Sequence, residues 1–154
     1  MRRHSNACAP ARGITLIELL VAMAIVAVLG MLAFPSFQEA IRKSRRADAM
    51  AALAMIQQAQ ERFRANSTTY QAVLANLPGM RDISPDRHYD LSIPAGSVTA
   101  SGYTVRATAR AGSKQAGDLL CRVMEVSMLN GNITYSSITA GDAANGSPDP
   151  CWVR

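Results

Sequence analysis

The pattern of apolar and polar positions divides the chain into three stretches. From Ile14 to Phe34 run 21 residues whose only ionisable side chain is Glu18. As a helix they would reach about 31 Å, enough to cross the hydrocarbon of a bilayer. Apolar residues fall on every helical face, so an amphipathic surface helix is excluded. A secretory signal would carry a shorter apolar region followed by a small-residue cleavage site. Here the small residue, Gly13, comes first, and a cut beside it would leave the apolar helix on the mature chain. From Gln38 to Ala65 there is no Gly or Pro, and Ala, Gln, Arg and Met predominate, which predicts continued helix. Ile41, Ala52, Met55, Ala59 and Phe63 mark its apolar stripe, and Arg45, Arg46, Asp48, Arg62 and Arg64 are left for solvent or other chains. Pro35, which lacks an amide donor, is the expected kink.

Asn, Pro, Gly and Ser punctuate residues 66–88, which read as a connecting loop with a short helix over Tyr70–Leu77. Tyr89–Ile93 and Tyr103–Arg110 alternate apolar and polar residues, as strands with one covered face do. Leu119–Leu129 and Ile133–Ser137 flank Asn130-Gly131-Asn132, a turn sequence that tolerates positive φ, so they are expected to form a hairpin. One long helix followed by about four antiparallel strands makes an α+β fold, with the second half of the helix packed across the sheet.

Composition fits this reading. The chain has 154 residues, 49% hydrophobic and 18% charged, so it is too apolar to be disordered and long enough for one domain. With the apolar run set aside, roughly 120 residues remain for a soluble core, which excludes a large enzyme. The net charge of +5 includes Arg2, Arg3 and Arg12, which precede the apolar run; beyond them the balance is 13 basic to 11 acidic residues. The basic character is therefore partly that of a targeting segment. Only two histidines occur, His4 and His88, with no Gly-rich phosphate loop, metal-ligand cluster or nucleophile motif. No enzyme activity and no cofactor are expected, and His88 reads as a loop residue.

The segment Gly13-Ile14-Thr15-Leu16-Ile17-Glu18-Leu19-Leu20-Val21, with the Ala/Ile/Val run and Phe34-Pro35-Ser36-Phe37-Gln38 behind it, resembles the amino terminus of a type IV prepilin. The resemblance implies a leader over residues 1–13, cleavage after Gly13 by a membrane-bound prepilin peptidase, and methylation of the new terminal residue, Ile14. Ile14 stands where Phe is commoner in that family. Glu18 is informative without the name. A carboxylate in hydrocarbon costs several kcal/mol unless it is neutralised or reaches water. Cleavage would supply a counter-ion, the Ile14 amine, in the same chain or a neighbouring subunit, and periodic pairing would set the stagger of incoming subunits. The bland alternative is that Glu18 reaches the headgroups from near the helix end. Residues 14–34 are thus assigned to the membrane and filament core, 35–65 to the helix continuation, and 66–154 to the globular region.

Arg42, Lys43, Arg45 and Arg46 lie just beyond the apolar run, and counting bases does not by itself keep the leader inside. The cysteines favour the opposite arrangement. Cys121 and Cys151 lie in the globular region, where a disulfide needs an oxidising compartment, whereas Cys8 leaves with the leader. Metal ligation by the pair lacks further Cys or His at ligand spacing. Closing the 29 intervening residues would stabilise by roughly 3–4 kcal/mol and would tie down Thr139–Pro150, which has no apolar run and is expected to fray otherwise. The globular region is therefore expected in the periplasm, on a single-pass inner-membrane protein that later joins a surface pilus.

Arg45-Arg46-Ala47-Asp48-Ala49, Gln60-Glu61-Arg62-Phe63, the strand Tyr103-Thr104-Val105-Arg106-Ala107-Thr108-Ala109 and the closing Cys151-Trp152 resemble the PilE-type minor pilins of type IVa pili. That resemblance implies a sparingly used subunit that helps start or support the filament. Its partners would be other major and minor pilins, the prepilin peptidase, the assembly platform and inner-membrane lipid. Some pilins of this kind capture DNA, for which Arg81, Arg87, Arg106, Arg110 and Lys114 are candidate contacts. Arg106 and Arg110 share one side of a strand, but the small excess of charge and few aromatics favour a solvated polar face. A type II secretion pseudopilin shares the leader and helix; a calcium site in the carboxy-terminal loop would favour it, and the cysteine tie favours a pilin. The sequons at Asn66 and Asn132 are assigned no role.

Overall fold

The computed structural model describes residues 13–152. Helix α1 runs from Leu16 to Arg64, 49 residues, uninterrupted across Pro35. Thr15 caps its start, its hydroxyl accepting the amide of Glu18 at 3.3 Å. The chain divides into two compact units with the boundary after Gln38. In the first, the large apolar side chains from Leu16 to Phe37 are all more than half exposed among the described residues.

The second unit holds the rest of α1 and a four-stranded antiparallel sheet in the order β1 (Tyr89–Ser92), β2 (Gly102–Ala109), β3 (Val123–Leu129) and β4 (Asn132–Ile138). Sequential neighbours pair throughout, as short connections dictate. The β3–β4 turn needs only Asn130 and Gly131, with φ of 51° and 83°, so Asn132 opens β4 opposite Leu129. The inner face carries Tyr89, Leu91, Tyr103, Val105, Ala107, Met124 and Val126. On α1 the matching stripe is Ala49, Ala52, Leu53, Ile56 and Ala59, at helical spacing. Its alanines leave room for the larger side chains of the sheet. Gly102 is a close approach of a different kind, since a Cβ there would lie 2.5 Å from the carbonyl oxygen of Met128.

Several expectations need correction. Met55 lies off the stripe and is 39% exposed, while Leu53 and Ile56 supply the burial assigned to it. Arg46 and Asp48 are not left for solvent or other subunits; both are buried. Only Leu74–Asn76 form a helical turn, of the 3-10 type, in place of a helix over Tyr70–Leu77. The third strand begins at Val123, because residues 118–121 are drawn into a hydrogen-bonded turn around the Asp118 carboxylate. Truncating the fully buried Leu53 to Ala is expected to cost about 2–5 kcal/mol, whereas Met55→Ala stays within about 0.5 kcal/mol. Chemical denaturation of the full chain in detergent checks both.

Candidate assembly and nucleic-acid surfaces

Gly13, Ile14 and Thr15 precede the first helical turn, with nothing within 4 Å of a Cβ placed on Gly13. The peptide bond between Gly13 and Ile14 thus lies in non-helical backbone. Glu18 sits in the first turn of α1, where the helix dipole favours a carboxylate, amid exposed Leu16, Ile17, Leu19 and Leu20. His4 and Cys8, expected in a leader, lie outside the described residues, as do Arg2, Arg3 and Arg12. Among the described residues one helix, α1, is long and apolar enough to cross a membrane, with mean hydropathy 2.7 over its most apolar window.

In the globular unit the sequence pattern gave no sign of the buried polar centre. Arg46 donates from Nε to Asp118 Oδ2 at 2.7 Å and from Nη2 to Oδ1 at 3.1 Å, a two-pronged pair. Its Nη2 also reaches Glu39 at 2.9 Å. The amide of Gln115 donates to Asp118 and to the Tyr89 hydroxyl, and the backbone amide of Cys121 donates to Asp118. Burial alone would lower the Arg46 guanidinium, but Asp118 and Glu39 more than offset it and hold it above its ordinary range. Burial also pushes the Tyr89 phenol well up, against the opposing bond from Gln115. Asp48 is used similarly: it accepts the hydroxyl of Ser84 at 2.6 Å and the amides of Asp86 and His88. Gathering those donors curls the chain so that Arg87, between them, adopts φ 61°.

Cys121 and Cys151 form a disulfide with sulfurs 1.99 Å apart, both buried. The tail is anchored by more than this bond. Ser137 donates to Asp149, Asn145 donates to the carbonyl of Leu120, and the Trp152 indole donates to the carbonyl of Ser136. Trp152 also stacks obliquely on Tyr135, with ring centroids 4.9 Å apart. These polar ties come from single residues, which no apolar run announces.

The basic candidates separate. Arg106 is engaged by Glu125 across β2 and β3, and Arg110 lies 3.7 Å from Asp90. Arg81, Arg87 and Arg110 line one groove of about 660 Å³, with Asp82 among them. Lys114 is exposed at the start of a 3-10 turn whose Ser113 cap bonds the carbonyls of His88 and Arg110. Arg106 is thus a cross-strand partner, while Arg81 and Arg87 of one loop converge with Arg110 at the end of β2. No group of three His, Cys, Asp or Glu side chains suited to a metal ion occurs among the described residues.

A long amino-terminal helix with an uncovered apolar half, docked by its other half on a four-stranded meander with a disulfide-closed tail, defines a type IV pilin. The chain belongs to the family described as type IV minor pilin ComP, DNA uptake sequence receptor, which matches residues 35–125. The prokaryotic N-terminal methylation motif matches residues 9–34. Comparison with curated proteins finds no match. The protein is a minor subunit of a type IV pilus, anchored in the membrane before it joins the filament, and it interacts with other pilins. Both matched families are structural ones. Arg46→Ala, which strands Asp118 as a buried charge, is expected to destabilise the globular unit by about 3–5 kcal/mol. A shift of the denaturation midpoint in the oxidised protein checks it.

Proposed function

We propose that the subunit is released for assembly by cleavage between Gly13 and Ile14, that residues 66–154 then face the periplasm, and that Glu18 enters the filament paired with the new amine of Ile14. The observation that carries this reading is Glu18 itself, the only ionisable residue in an apolar segment that none of the described residues covers. In lipid or in a bundle of such helices its charge needs a partner, and the terminal amine is the nearest that processing can create. The disulfide supports the periplasmic placement, since it persists in an oxidising compartment. Support of pilus assembly follows, because a subunit that pairs with its neighbours at the base of the helix helps order them. Glu18→Ala is expected to leave a processed, membrane-inserted protein that enters sheared pili at no more than about a tenth of the wild-type level, a loss of roughly 1.4 kcal/mol or more in pairing. Immunoblots of membrane and pilus fractions measure it, and normal incorporation would reject the pairing.

A second reading is that this minor pilin captures DNA. Two observations favour it: the matched family is described as a DNA uptake sequence receptor, and Arg81, Arg87 and Arg110 share one groove. Their guanidinium groups suit phosphate oxygens, with Lys114 as a further contact. Arg106 contributes less, because Glu125 already holds it. Binding of duplex DNA by the full chain in detergent is expected to weaken with salt, and Arg87→Ala is expected to reduce the log–log slope by about 0.9. Arg106→Ala leaves that slope unchanged. Absence of binding even at low salt would remove this second role and leave the assembly role intact.

A further inference from the structure

After the leader the chain carries 13 basic and 11 acidic residues, yet residues 47–154 hold nine of each. The whole positive excess therefore comes from Arg42, Lys43, Arg45 and Arg46, within five residues of α1. Arg46 is spent on Asp118. Among the described residues the Arg42 guanidinium pairs only with Glu39, at 3.8 Å, which is shared with Arg46. Lys43 and Arg45 take part in no ion pair among the described residues.

We propose that Lys43 and Arg45 form a basic collar that binds anionic phospholipid headgroups while the subunit is anchored in the bilayer. The proposal rests on the reading of the apolar half of α1 as that anchor. Two features select a lipid layer over other anions. Lys43 and Arg45 lie about 200° apart around the helix axis, so they point to opposite sides; a headgroup layer surrounds a helix, whereas a duplex meets one side of it. Lys43 also follows Phe37, the last large apolar residue of the helix that is more than half exposed, by six residues, about 9 Å of helical rise. The polar zone of a leaflet extends about 5–7 Å beyond its hydrocarbon, and Lys and Arg stems snorkel across what remains. Basic residues on this side run against the usual charge bias of membrane topology, and anionic lipid gives them a local function.

The test uses the full chain reconstituted in phosphatidylcholine bilayers with a trace of spin-labelled phosphatidylglycerol or spin-labelled phosphatidylcholine. The fraction of motionally restricted label reports lipid at the protein surface. Phosphatidylglycerol is expected to be preferred about fivefold, the factor for one engaged basic residue, with loss of the preference at high salt. In K43Q/R45Q, with thermal melting unchanged, the preference is expected to fall below about twofold. Equal association of the two lipids with the wild type, or a preference that survives in K43Q/R45Q, would overturn the collar. Absence of restricted lipid with either label would instead overturn the anchor. Loss of duplex DNA binding in K43Q/R45Q with its lipid preference intact would assign these residues to nucleic acid and also overturn the proposal.

Discussion

Arg46 and Asp118 meet where neither charge has water to rely on, and the layout of the globular unit follows from how that problem is solved. Moving both ions from solvent is costly, and their attraction compensates only when the remaining lone pairs and protons are also matched. Asp118 meets this condition through the guanidinium, the Gln115 amide and the backbone amide of Cys121. Helix, strand β1 and the disulfide-bearing turn are therefore held by one carboxylate, since Gln115 also bonds the Tyr89 hydroxyl. Asp48, two residues along α1 from Arg46, does the corresponding work for the loop ahead of β1. Two charges on one helix thus fix the segments that apolar packing alone would leave loosely placed.

The remaining charges are distributed by availability. Arg106 is matched within the sheet face and Arg46 within the core, whereas Arg81 and Arg87 in the α1–β1 connection remain exposed. A basic total says little about partners until these internal uses are subtracted. The same holds for the apolar residues. In the globular unit they are covered by the sheet, and in residues 14–34 they are exposed in the single chain, a state that water does not tolerate over such an area. Lipid and neighbouring pilin helices are the environments that remove this exposure in turn.

Much of this was legible from residue patterns. The 21-residue apolar run, the Gly-free helix behind it, the alternating strands and the Asn130-Gly131 turn each carry a local signal, and the four-stranded order follows from their succession. The cysteine pairing was legible because Cys121 and Cys151 are the only two cysteines beyond the apolar run. What local pattern missed depends on partners distant in sequence. Arg46 and Asp48 look like surface residues on a helix until Asp118, 72 residues away, and Ser84 come to meet them. Met55 departs from the expected stripe because Met55 and Ile56 both fall at helical spacing from Ala52 and Ala59, and only the position of the sheet decides which is covered. Convergence of Arg81, Arg87 and Arg110 was likewise hidden, since a loop's path is set by side-chain bonds to Asp48 that no periodicity encodes.

The tail's mode of attachment bears on how such a subunit withstands mechanical load. Tension along a fibre reaches each subunit through its helix and must pass from there into the rest of the fold. Arg46 lies on that helix, Asp118 three residues before Cys121, and the disulfide carries the connection onward to Cys151. A charged clasp and a covalent link thus stand in series, each bearing the whole of that load, and Cys151 is drawn along with the helix instead of peeling away from it.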